Sequence, residues 1–316
     1  MRYPRALTKQ RCLRRGRGDR IDVMKPIKRK RPSSPATRWT RTQIPRAGSL
    51  VLPSGNGRIE ECYASVVGPC SGKISGEHSI SSGIVKKLAS EGDGSVRVRG
   101  MHWQEDGAVK NLGPPSLVAN VLCQGHNSAL SPIDNVGIAV FEAFRRLIDT
   151  RITGSEEVTL WGPDFELWIL KALTARAVGG ELENAGRRRA PRAVPADWPL
   201  ILFGSKPMAA GCGLYISAKE ITFDAAEPSF GVAFQGMFDG PDEAVLCGGR
   251  SIFTRIGDFT LMMRPHSPSD DLEPERLRPA SVTFSGPRSL RLCFEWPDRH
   301  RGRHASMTWF PRAAPS

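Results

Sequence analysis

Two short segments of this chain carry side chains whose types and spacing suit metal-assisted chemistry. One reads Cys70-Ser-Gly-Lys-Ile-Ser-Gly-Glu77-His78, the other Leu122-Cys123-Gln-Gly-His126-Asn127. Each sets soft or imidazole ligands beside a hard pair, Glu77 with His78 and His126 with Asn127. Thiolate and imidazole suit zinc, whereas carboxylate and amide oxygens suit Mg²⁺ or Mn²⁺. With Cys62 added, the residues Cys62, Cys70, Cys123 and His126 follow the order of a treble-clef zinc site, in which two ligands lie on an early knuckle and two at the mouth of a later helix. The Cys123-x-x-His126 spacing lets both side chains meet one ion. Cys62 and Cys70 have seven residues between them, more than in a zinc knuckle, so residues 63–69 must loop out. The bland alternative is a set of buried thiols in an ordinary core, which is the reading given to Cys212, Cys247 and Cys293.

The order Cys, Cys, Glu77-His78, then Leu122-Cys123-x-x-His126-Asn127 resembles the HNH endonucleases of the ββα-metal fold, over about residues 59–150. The resemblance implies that His78 is the general base that activates water. It further implies that Glu77 and Asn127 hold a catalytic divalent metal, Mg²⁺ or Mn²⁺, while structural Zn²⁺ keeps hairpin and helix in register. A histidine of ordinary pKa near 6.5 takes a proton from water at neutral pH, which agrees with that role. The implied activity is hydrolysis of nucleic-acid phosphodiester bonds, with DNA as the expected partner. The sequence departs from the family pattern in four places. The first knuckle is stretched, His126 stands where a cysteine is usual, an insertion is expected across residues 90–115, and Val118 stands near the place of an orienting Asn. These departures support a rival reading, a catalytically inactive zinc module that binds nucleic acid or a protein.

Charge does not decide between these readings. The chain has a formal net charge of +13, but residues 1–50 hold 16 of the 45 Lys and Arg beside only Asp19 and Asp22. That stretch therefore carries about +14, and residues 51–316 about −1. A basic, Pro- and Ser-containing arm over 1–57 is expected, able to attract phosphate without reading sequence. Lys25 to Pro32 also fits a nuclear address, and Met24 offers an alternative start. The seven cysteines are too sparse for a disulfide framework. The lack of any apolar run of about 18 residues argues against a membrane span, and a cytoplasmic protein is the default.

The elements that must position these residues are legible in part. Ser131-Pro132-Ile133-Asp134 signals a helix start, with Ser131 as cap and Asp134 reaching back to it. Ile133, Val136, Val140, Phe141, Phe144 and Leu147 then recur at helical spacing. A second helix fits 163–178, with Phe165, Trp168, Ile169 and Leu173 on one stripe, so the acids and tryptophan of that stretch read as core. A short helix near 80–88 and strands at 96–99 and 117–122 are expected as well. Residues 184–197 read as an exposed connection, and short β-like runs follow it. The expected architecture is α+β: an HNH-like treble-clef module with packed helices over 58–183, then a β-rich antiparallel domain over 198–312.

Overall fold

A computed structural model describes residues 39–312, apart from 91–92, 100–103, 106–107, 149–153, 180–182, 185–186, 189–193, 210–211, 217–220, 225–231, 240–244, 254–256, 263–276, 286–287 and 298–303. The first 38 residues of the expected basic arm, with Cys12, lie outside the described residues. Residues 37–316 form one compact unit of mixed α and β structure.

Along the chain come β1 (Trp39–Gln43), a 3-10 turn (Tyr63–Val66), β2 (Ile74–Glu77), α1 (Ser82–Ser90), β3 (Val96–Arg99), β4 (Val109–Leu112), a 3-10 turn (Pro114–Ser116) and β5 (Ala119–Cys123). Then follow α2 (Gln124–Ala129), α3 (Ser131–Ile148), β6 (Ser155–Trp161), α4 (Gly162–Val178), β7 (Glu183–Asn184), β8 (Arg187–Arg188) and α5 (Asp197–Leu202). The last part is β9 (Gly213–Ile216), β10 (Ile221–Asp224), β11 (Val232–Asp239), β12 (Val245–Phe253), β13 (Gly257–Met262), β14 (Ser281–Ser285), β15 (Ser289–Glu295) and β16 (His304–Arg312).

The helices expected from periodicity are present, and α3 and α4 pack on each other. A six-stranded sheet runs β1-β6-β15-β14-β16-β10. It takes strands from both sides of the 184–197 stretch, so the segments expected as two domains share one sheet. Its strands are mostly parallel: only β14 with β15 is antiparallel, whereas β1–β6, β6–β15, β14–β16 and β10–β16 all run parallel. The antiparallel expectation for the C-terminal part holds for the separate sheet β11-β12-β13-β9. Local alternation identifies a strand without saying which distant strand it joins, and parallel partners need long crossovers that leave no turn signature.

Residues 39–57, read as the end of the arm, belong to the body. Strand β1 pairs with β6, Ile44 is buried, and the Ala47 N–H donates to Asp164 Oδ2 at 2.7 Å. Alternating Leu290, Leu292 and Phe294 of β15 and Val158 and Leu160 of β6 are buried in the core, which includes the apolar face of α3. Phe144 meets Phe284 edge to face at 4.9 Å. Helix α4 is buried nearly all round, including Asp164, Glu166, Lys171 and Thr174, rather than along one stripe. Glycine makes the α3–α4 approach possible, since a Cβ on Gly137 would fall into the indole of Trp168.

Candidate metal centre and the Glu77–His78 site

Strands β2 and β5 pair antiparallel, with Ile74 opposite Cys123 and Ser75 opposite Leu122, and α2 leaves β5 directly. Between them lie α1, the antiparallel pair β3–β4 and a 3-10 turn, and the β3–β4 pair falls in the 90–115 stretch expected as an insertion. Cys123 is the N-cap of α2, and its sulfur accepts the His126 N–H. On the other side Cys62 leads into the turn 63–66, which takes up the long spacing to Cys70. The knuckle is pinned to the helix start by Gln124 N–H to Lys73 O at 2.9 Å and Gly125 N–H to Ser71 O at 3.0 Å. Gly72 turns with φ of +70° against Gln124, a backbone region where glycine is favoured.

This arrangement gathers Cys62, Cys70, Cys123 and His126 into one buried group whose ligand atoms all lie within 4.8 Å of one another. His126 Nδ1 is 3.2 Å from Cys123 Sγ, 3.5 Å from Cys62 Sγ and 3.9 Å from Cys70 Sγ. A tetrahedral zinc with its usual bond lengths sets N···S edges of about 3.6 Å, so the donor set fits the ion. The Cys123 N–H also donates to Cys62 Sγ at 3.4 Å, which favours the thiolate form. Burial pushes the Cys62 thiol up to about 12. Without a cation it is a neutral thiol, and a bound metal would draw off its proton. Cys123 lies below the usual thiol range although burial raises it, because hydrogen bonds from His126 and Ser71 backbone groups and from the neighbouring thiols outweigh that effect. Burial lowers His126 as well, keeping it in the neutral form that binds metal. Its ring packs edge to face on Phe203 at 5.3 Å. The described residues thus contain a buried Cys₃His group able to hold a metal ion, and zinc suits its chemistry.

The second trio is arranged differently. A register irregularity falls between Ser75 and Glu77 within β2, and bulges of this kind re-aim side chains. The Glu77 side chain is buried at 1% exposure and pairs with Lys171 Nζ at 2.5 Å. Lys171 also meets Asp134 Oδ1 at 2.7 Å and donates to the His78 carbonyl at 3.3 Å. Burial pushes Glu77 up, tempered by the Lys171 ammonium. Burial would pull Lys171 down, but Glu77 and Asp134 hold it above the usual lysine value. Asp134 does not cap its own helix as expected; it accepts from Ser81 Oγ at 2.5 Å and faces Lys171. His78 is half-buried, and its pKa is lowered chiefly by burial, with Lys171 and Lys86 adding to the shift and a hydrogen bond to the Leu117 backbone opposing it. Asn127 Nδ2 donates to Ser75 Oγ at 3.1 Å and to Gly76 O at 3.3 Å, tying α2 to β2. With Nδ2 so engaged, Oδ1 is the Asn127 atom left to meet a cation.

A divalent ion at Glu77 does not fit this arrangement while Lys171 is present, because it would have to displace an ammonium already held there. Lys171 is the residue that sequence reasoning missed. Its signal was a lysine three residues after Trp168 on a helix otherwise read as core, a position that demands a buried acid as partner.

Cys212 is buried and Cys293 half-buried, both as free thiols, while the Cys247 side chain lies outside the described residues, as do those of His102, His266, His300 and His304. A cavity of about 340 Å³ opens elsewhere, lined by Thr40, Arg146, Glu156, Arg288 and Ser289 among others, and includes none of the expected site residues. Among the described residues no helix is long and apolar enough to cross a membrane. Fold and site define an α+β protein with a Cys₃His centre on a ββα frame. Compared with known proteins, the chain matches no family model, no curated protein and no solved structure.

Proposed function

We propose that this chain is a zinc-organised, HNH-like module that hydrolyses phosphodiester bonds of nucleic acid, with DNA as substrate. The observation that carries the reading is His78, a half-buried imidazole just beyond β2, on a frame whose helix is tied to that strand by Asn127. His78 takes a proton from water, the hydroxide attacks phosphorus, and the bond from phosphorus to the leaving oxygen breaks as that oxygen takes a proton from solvent. Burial favours the neutral imidazole, the form a base needs. Zinc holds the ββα frame and takes no part in the chemistry. Glu77 does not fit a divalent ion beside Lys171, so no step is assigned to one. Phosphate attraction comes from the Lys- and Arg-rich first fifty residues.

One observation favours the rival, a zinc module that binds nucleic acid or protein without cleaving it: the carboxylate expected to hold the catalytic metal is occupied by Lys171. Plasmid incubation separates the two, using zinc-loaded full chain with and without Mg²⁺ or Mn²⁺ beside His78→Ala and Asn127→Ala. Loss of a general base should slow cleavage by about 10²-fold or more. Cleavage that survives His78→Ala removes the base. No cleavage of DNA or RNA by the zinc-loaded chain leaves the binding module.

A further inference from the structure

The Glu77 carboxylate already has a cation, and that cation belongs to the chain. An ammonium has three N–H groups, and Lys171 has three oxygens within reach: Glu77 Oε1, Asp134 Oδ1 and the His78 carbonyl. Its side chain is 2% exposed, so water cannot substitute for these partners. We propose that Lys171 is the resident cation of the Glu77 site, its ammonium occupying the position a divalent metal would need while it cross-links β2 to α3 and holds the His78 backbone.

Neighbouring contacts fix the ammonium in place. Trp168, three residues earlier on α4, donates from Nε1 to Ser81 Oγ at 2.9 Å, and Ser81 Oγ donates to Asp134 at 2.5 Å. Asp134 is therefore oriented by a second donor besides Lys171, and Trp168 sets the rotation of α4 that aims Lys171 at it. Removing only the ammonium would leave Glu77 and Asp134 facing a common space from which positive charge has gone, an arrangement that invites a cation. Lys171 is a positioning residue in this scheme, acting on Glu77 and on the backbone of His78. The inference concerns what Glu77 holds, and it stands whether or not His78 hydrolyses anything.

Mn²⁺ titration of the zinc-loaded full chain, read by electron paramagnetic resonance, tests it without reference to cleavage. Wild type is expected to show no Glu77-dependent Mn²⁺ site, so Glu77→Gln leaves the isotherm unchanged. Lys171→Met, similar in length and uncharged, is expected to bind Mn²⁺ about tenfold more tightly or better, and Lys171→Met with Glu77→Gln to lose that gain. Two results overturn the proposal: Mn²⁺ binding by wild type that Glu77→Gln abolishes, or a folded Lys171→Met protein that binds Mn²⁺ no better than wild type. If Lys171→Met does not fold, the comparison of wild type with Glu77→Gln decides by itself.

Discussion

Stripping zinc should unfold one part of this molecule and spare another. The four donor residues are between 0% and 4% exposed, and without a metal their polar partners are one another and a few backbone groups, those of Cys123, His126 and Ser71 among them. The knuckle joins the rest of the fold through a handful of backbone bonds, Cys70 N–H to Gly57 O and the two pins to Gln124 and Gly125. Structural zinc sites carry about 10–16 kcal/mol of apparent binding free energy, as much as the net stability of a whole domain. At free zinc about 1,000-fold above the dissociation constant, linkage gives about 4 kcal/mol, which is about 6–7 °C in Tm for a chain of this size. Chelation should therefore remove hydrogen-exchange protection from 57–78 and 119–130. Protection should persist in β6, β14 and β15, which have their own partners. Cys123→Ser should lower Tm comparably and reduce the zinc content from about one per chain. Protein that purifies without zinc, together with a Cys123→Ser variant of unchanged Tm, would refute the metal centre.

Three further outcomes rest on other parts of the structure. Gly137→Ala should cost about 3 kcal/mol in denaturant unfolding, because its methyl would enter the Trp168 indole and force α3 from α4; an unchanged midpoint contradicts that close approach. Glu166 is buried and accepts from Arg278 Nε at 3.0 Å, Arg278 Nη2 at 3.2 Å and the Leu214 N–H at 2.8 Å. Arg278→Ala should cost about 3 kcal/mol, much of it restored by adding Glu166→Gln. Burial raises Glu166, with Arg278 opposing that shift. Without Arg278 the carboxyl should rise further, so the variant gains stability as pH falls through its folded value, where folded protein holds a proton that unfolded chain does not. His78 sets the last outcome, since its folded pKa lies below 6.5. Cleavage should persist below pH 6.5 and fail only as pH drops through the lowered value, so an acid limb at or above 6.5 contradicts the base assignment.

What could be read in the sequence follows from the range of the interactions involved. The Cys₃His group was legible because two of its residues lie three positions apart at a strand–helix junction and the other two fall on one short connection. Helix α3 was legible because Ile133 through Leu147 repeat at a spacing only a helix satisfies. Strand β6 was not anticipated: Ser155-Glu-Glu-Val-Thr-Leu-Trp161 alternates weakly, and its place between β1 and β15 is set by partners over a hundred residues away. Strand β1 was hidden by the charge run before it, since Thr40 to Gln43 are exposed while the buried Ile44 lies just past its end. Glu77, His78 and Asn127 were recognised as residues, but the cation beside Glu77 comes from α4, where local pattern predicts only core.

Helix α4 explains why the Cys₃His group is built into the fold rather than attached to it. A helix buried nearly all round has no solvent face on which to place polar groups, so each one it carries must find a partner within the protein. Asp164 holds the Ala47 N–H after β1, Glu166 holds Arg278 and the start of β9, and Lys171 joins the end of β2 to α3. Thr174 turns back on its own Leu170 carbonyl at 2.7 Å. Three buried charges thus fix the helix against three distant parts of the chain, and the one nearest the metal frame sets both the carboxylate and the carbonyl that flank His78. A change at Lys171 should therefore be felt at His78 without any movement of the Cys₃His centre. Zinc content that stays constant across Lys171→Met and Glu77→Gln, while the environment of the His78 imidazole shifts in NMR, is the pattern this coupling requires; zinc loss in step with those substitutions would mean that the two sites are one.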